Sequence, residues 1–193
     1  DSCGGEGGAG LARADAYDFA LAVDGRGKRG CMRCITVAGA ALNQTPLDWD
    51  NNARTILSAI EQARALGASL LCLPELCISG YGCEDMFHSS GVRRMARRVL
   101  REILPSTKGI AVSLGLPVMF RSGLFNCVAF AVDGRIQGFV AKRHLAGEGL
   151  HYEPRWFKAW PEGQRAEIDL DGERFAIGDL SFDLNGIGVG FEI

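Results

Sequence analysis

The chain is 193 residues long, 47% hydrophobic and 23% charged, with a formal net charge of −2. Those proportions exclude a fibrous or wholly disordered protein and suit one domain large enough to bury most of its surface. The charge balance gives no general attraction to nucleic acid or to an anionic membrane, so neither is expected as a partner.

Seven cysteines, an odd number at irregular spacings, argue against a disulfide framework. Reduced, partly buried thiols fit better and point to the cytoplasm. No apolar run approaches the roughly 20 residues that span a bilayer. Residues 19–23 are too few, and too closely flanked by Asp18 and Asp24, to read as a secretion signal.

In chain order, residues 1–31 come first, with glycines at 4, 5, 7, 8, 10, 25, 27 and 30 and little hydrophobic periodicity. They read as a flexible glycine-rich segment outside the native domain. Met32, directly before the first convincing strand at 33–42, reads as the natural start, so the domain is expected over 32–193. Asp50 can cap a helix carrying Ile56, Leu57, Ile60, Ala63 and Leu66 at spacings of three and four, stopped by Gly67. A strand follows at 69–73, a helix at 91–104 ended by Pro105, and another strand at 110–117. Asp133-Gly134 and Asp171-Gly172 sit between alternating apolar stretches, 128–132 with 136–140 and 166–170 with 175–177, and predict two hairpins. A last strand is expected over 187–193. The order of elements describes a layered α/β protein with mixed sheets.

Four features could carry chemistry. Glycines 25, 27 and 30 spell G-x-G-x-x-G, but a dinucleotide loop needs a helix opening on the third glycine, and a strand follows here. Cys31 and Cys34 form C-x-x-C without a second pair at zinc spacing. Cys72, Cys77 and Cys83 have only His88 nearby, so buried thiols are expected and no metal site. Arg93, Arg94, Arg97, Arg98 and Arg101 load one side of the second helix. With no aromatic residue interleaved for base stacking, they read as a solvated or interface-lining face.

Glu75 and Lys142 are the fourth feature. Each ends an apolar run of strand type, 71–73 and 139–141, and sheets present reactive groups at such ends. The pattern alone serves equally for a hydrolytic pair or for an ion pair between neighbouring strands.

Leu73-Pro74-Glu75-Leu76 with Ser79-Gly80-Tyr81, and Val140-Ala141-Lys142-Arg143, resemble the first two catalytic blocks of the nitrilase superfamily of carbon-nitrogen hydrolases. More narrowly, residues 80–87, 142–157 and 38–49 are similar to the glutamine-hydrolysing domains of glutamine-dependent NAD synthetases. The resemblance covers 32–193 and implies a four-layer αββα sandwich of nitrilase type, lacking its C-terminal strands and helices. It also implies a glutamate, lysine and cysteine triad. Glu75 falls on the general base and acid, and Lys142 on the residue that stabilises the oxyanion. Glu153 falls on a supporting glutamate, against a plain surface charge, and Tyr81 on a substrate-pocket residue, against simple turn packing. The family's third block is an apolar strand followed by the cysteine. Residues 188–193 match that strand, so the nucleophile is expected immediately after Ile193. The implied substrate is glutamine, with no cofactor in this domain. The implied partner is a C-terminal synthetase domain using ATP and Mg to amidate deamido-NAD, in a homo-oligomer. A free-standing amidase or nitrilase for another small amide is the first alternative, and a catalytically dead interaction module the second.

Overall fold

A computed structural model describes residues 13–21, 33–148 and 152–193. Its central element is an eight-stranded mixed sheet in the order β1-β2-β3-β4-β5-β6-β8-β7. Strands β2 (Arg33–Ala41), β3 (Leu70–Cys72) and β4 (Ala111–Phe120) run parallel. From β4 the chain turns back antiparallel through β5 (Gly123–Val132) and β6 (Arg135–Ala141). The hairpin of β7 (Arg165–Leu170) and β8 (Glu173–Gly178) joins β6 through β8, in parallel, over two residue pairs.

The two Asp-Gly hairpins form where the sequence places them. Asp133 and Gly134 have φ of 51° and 78°, and Asp171 and Gly172 of 57° and 87°. Positive φ at both positions is the turn whose twist matches the flanking strands. Asn185-Gly186, at 54° and 85°, makes a third such turn between β9 (Ser181–Leu184) and β10 (Ile187–Gly190). The expected last strand is therefore shorter than 187–193 and is half of a hairpin.

Helix α1 (Trp49–Ala65) is capped two residues earlier than expected: the carboxylate of Asp48, not Asp50, accepts from Asn51 N. Asp50 lies in the first turn, where its negative charge suits the helix dipole. Helix α2 (Ser90–Ile103) is capped by Ser89 and buries Val92, Ala96, Val99, Leu100 and Ile103. Both helices pack on one face of the sheet, against Leu71, Val112, Leu114 and Ala129. Successive strand residues point to opposite faces, so Leu70, Ala111 and Phe130 look the other way. There they meet Phe182, Leu184, Val189 and Phe191 of the β9–β10 ribbon and the residues after it. Phe130 lies 4.7 Å from Phe182 and 5.2 Å from Phe191, ring centre to ring centre. Of the four expected layers, the described residues thus form a helical layer, the sheet, and a ribbon stacked on the far face.

One expectation is corrected within the stretch read as loose. Arg13–Leu21 forms strand β1, paired antiparallel with all nine residues of β2. The pairing satisfies backbone groups of β2 that would otherwise line an open edge. Met32 and glycines 25, 27 and 30 lie outside the described residues.

Candidate active site

Strand β3 is buried between two parallel neighbours, and the chain leaves its C-terminal end through Leu73-Pro74-Glu75. Leu73 N donates to Ser113 Oγ at 2.9 Å, which ties the exit to β4. Glu75 is then thrown outward by a turn in which Leu76 takes a φ of 50°, a left-handed conformation uncommon for a leucine. The turn lies so close on β4 that a Cβ at Gly115 would stand 2.3 Å from Leu76 N and 2.9 Å from Pro74 O. Only glycine permits that approach. Ile78 N completes the seam by donating to Gly115 O at 3.1 Å.

Lys142 follows β6 directly. Its backbone is held on both sides, Lys142 N donating to Asn126 O at 2.8 Å and Trp160 N donating to Lys142 O at 2.9 Å. Its side chain is 6% exposed and places Nζ 2.7 and 2.8 Å from the two oxygens of Glu75. The same ammonium reaches Glu153, 3.1 Å from Oε2 and 3.3 Å from Oε1. One lysine therefore bridges two carboxylates. Glu75 is the outward member, its side chain 34% exposed, whereas that of Glu153 is 1% exposed.

Glu153 opens a short 3-10 turn, Glu153–Arg155. Its Oε2 accepts from Ala146 N at 2.7 Å. Its burial removes the reading of Glu153 as a plain surface charge, since an isolated buried carboxylate is too costly without partners. The phenol of Tyr81 is hydrogen-bonded to Glu153. Burial first, and then the negative charges of Glu153 and Glu75, push that phenol above its ordinary range. The structure thus brings Glu75, Lys142, Glu153 and Tyr81 into one cluster at the C-terminal end of the sheet.

Two parts of the site were missed from the sequence. Asn126, on β5 and 1% exposed, donates through Nδ2 to Glu75 Oε2 at 3.0 Å and to Glu153 Oε1 at 3.2 Å. Its signal was a polar side chain in the middle of the apolar run 124–132. The second is a clamp outside the cluster. Arg155 donates to both oxygens of Asp85 at 2.8 and 2.7 Å, and Trp156 Nε1 to Asp85 Oδ1 at 3.0 Å. Phe87 packs on Phe157, ring centres 4.9 Å apart. This locks the turn bearing Glu153 to the Glu84–His88 turn.

Among Cys72, Cys77, Cys83 and Cys127, Cys77 and Cys127 are fully buried. Burial pushes the Cys77 thiol up to about 12 and the Cys127 thiol higher still. Burial also raises Cys72 and Cys83, and the Cys83 thiol is engaged with the carbonyls of Ser79 and Gly80 at 3.2 Å. None has the electropositive, accessible setting of a reactive thiol. The segment after β10 runs beside the end of β6: Phe191, Glu192 and Ile193 line a small cavity with Val140, Ala141, Arg143 and His144.

The arginine side of α2 is engaged by the β7–β8 turn. Arg101 lies 3.3 Å from Asp171 and 3.5 Å from Glu173, and Arg97 3.7 Å from Asp171. Among the described residues no three His, Cys, Asp or Glu side chains come together as a metal site, and no helix is long and apolar enough to cross a membrane.

A carboxylate, a lysine and a second carboxylate gathered at the strand ends of an α/β sheet define a class, and the chain belongs to it: the carbon-nitrogen hydrolase family matches residues 36–193. Within that class its similarity is specific. Over 131 residues it is 40% identical to the glutamine-dependent NAD(+) synthetase of Oryza sativa subsp. indica, covering 67% of this chain and 18% of that protein. It is 38% identical over 137 residues to the synthetase of Rattus norvegicus, covering 70% and 19%. A crystal structure of a glutamine-dependent NAD(+) synthetase from Cytophaga hutchinsonii is similar at 45% identity and a TM-score of 0.78, over 81% of this chain and 27% of that one. An amidase from Nesterenkonia sp. is similar at 25% identity and a TM-score of 0.54, over 72% and 53%. The chain thus spans about a fifth of the length of these curated synthetases, and its mixed α/β architecture is of nitrilase type.

Proposed function

We propose that this domain hydrolyses the side-chain amide of glutamine and hands the ammonia to an ATP-dependent domain that amidates deamido-NAD. The observation that carries the reading is the single Lys142 ammonium shared by Glu75 and Glu153 beside the end of β3. An amide carbon is a poor electrophile and calls for a sulfur nucleophile, and we infer that this sulfur belongs to a cysteine directly following Ile193. Glu75, the exposed carboxylate, takes the thiol proton as sulfur attacks the amide carbon, and returns it to the departing ammonia. Lys142 sets positive charge beside the oxyanion that develops, an effect worth about 3 kcal/mol for one well-placed donor. Water then attacks the thioester, Glu75 again taking the proton, and glutamate and the free thiol are released.

Glu153 acts behind Lys142, keeping the ammonium aimed at Glu75, and Tyr81 borders the pocket that receives the substrate. The higher identity to the Cytophaga hutchinsonii synthetase than to the Nesterenkonia amidase favours glutamine over another small amide. The synthetase domain, with its ATP and Mg, and the homo-oligomer belong to the same proposal.

The test is glutamine-dependent ammonia release by the complete gene product, together with the codon after the one for Ile193. Cysteine at that codon, and activity lost in Glu75→Gln while externally supplied ammonia still supports NAD formation, are the expected results. Any other residue at that codon, or undiminished activity in Glu75→Gln, overturns the reading.

A further inference from the structure

We propose that Asn126 is a positioning residue of this site, its side-chain amide fixing the Glu75 and Glu153 carboxylates around the Lys142 ammonium. The inference rests on the glutaminase reading above. Nδ2 carries two hydrogens, and it has one carboxylate for each: Glu75 Oε2 at 3.0 Å and Glu153 Oε1 at 3.2 Å. The reversed amide would press an oxygen against both anions, so the network itself decides which end faces them. The price of this orientation is visible, because Asn126 Oδ1 is left buried with no partner in the protein. Buried polar atoms are nearly always paired. A residue present only to fill the core would be replaced by an apolar one without that cost.

The backbone of Asn126 adds a second hold, its carbonyl accepting from Lys142 N at 2.8 Å. One residue therefore sets both the lysine and the two carboxylates it bridges. Charge explains why the residue is neutral. Two carboxylates already share one ammonium, and each repels the other. A neutral amide supplies a donor to both and leaves the ammonium's charge undivided by a further anion. Glu75 has most need of this restraint, being the outward carboxylate that has to meet thiol and amide in turn.

The substitution Asn126→Asp keeps the shape and replaces the donor by a third anionic oxygen. In the complete gene product it is expected to lower kcat for glutamine hydrolysis about 10- to 100-fold at pH 8, the range typical of residues that orient active-site groups. KM should change by less than about threefold, because the loss falls on the chemical step. Between two carboxylates the new acid holds its proton to unusually high pH. As pH falls towards 6 it regains an O–H donor, and its kcat relative to wild type should recover by about tenfold. Asn126→Ala should show the loss without the recovery. Both variants keeping kcat within about threefold of wild type throughout that range would overturn the proposal.

If Asn126→Asp gives no cooperative melt, Asn126→Ser is read by the same criteria at pH 8. If the wild-type protein releases no ammonia from glutamine, it is the glutaminase reading that fails. The positioning role is then decided by crystal structures of wild type and Asn126→Ala, in which Glu75 leaving Lys142 supports it and an unmoved Glu75 overturns it.

Discussion

Gly115 and Leu76 meet backbone to backbone: a Cβ on the glycine would stand 2.3 Å from the leucine's amide nitrogen. Leu76 is held there with a φ of 50°, and the residue before it is Glu75. The direction of the outward carboxylate therefore depends on a missing methyl group one strand away.

Gly115→Ala should displace the turn as a whole, because the clash is with backbone and no side chain can swing aside. Overpacking of this kind costs about 1–3 kcal/mol. Urea unfolding should show a lower midpoint with an unchanged slope, and glutamine hydrolysis should fall further than the loss of stability explains. An unchanged midpoint and full activity would remove the Gly115 contact from the account of the site.

Lys142→Met leaves Glu153, whose side chain is 1% exposed, without its cation. Breaking a buried pair by removing one partner costs about 3–5 kcal/mol. The double variant Lys142→Met with Glu153→Gln should regain a good part of that stability while remaining inactive. A double-mutant cycle in urea measures it, and additivity of the two changes would count against the coupling.

Asp85 gives a pH dependence whose sign follows from its partners. Hydrogen bonds from Arg155 and then Trp156 hold its carboxyl at about 2, against an ordinary 3.8. A carboxyl lowered by folding contributes stability above its unfolded value and loses it as pH falls through the folded one. The difference in stability between wild type and Asp85→Asn should be flat above about pH 4 and shrink between about 4 and 2. The pair is solvent-exposed, so the effect is small. A difference that grows on acidification would reverse the assignment.

The 193-residue chain by itself should release no ammonia from glutamine above a Glu75→Ala control, because none of its described thiols stands in the cluster. Cys77 and Cys127 should also resist alkylation at pH 8 in the native protein and react once urea exposes them, since burial keeps both as thiols. Rapid native labelling of either would contradict their placement.

Much of the fold was legible because its signals are local. Asp-Gly at 133–134 and 171–172 demands a turn whatever surrounds it, and the apolar spacing from Ile56 to Ala63 is a property of α1 alone. Glu75 and Lys142 stood out because each terminates an apolar strand and sits in a recognisable block. The strand Arg13–Leu21 was hidden by the glycines on either side of it, and its formation depends on β2 offering an edge.

By itself the sequence determined most of the elements, two of the three hairpin turns and the residues bearing charge at the strand ends, since each follows from backbone preference or periodicity over a few neighbours. Tertiary structure alone decided that Glu153 is buried against Lys142 and not a surface charge. It alone turned Asn126 from a polar interruption in a strand into a donor shared by two carboxylates. Burial and hydrogen-bond partnership arise between separate segments, 11 residues apart for Lys142 and Glu153 and 51 for Asn126 and Glu75, and no local preference carries that information.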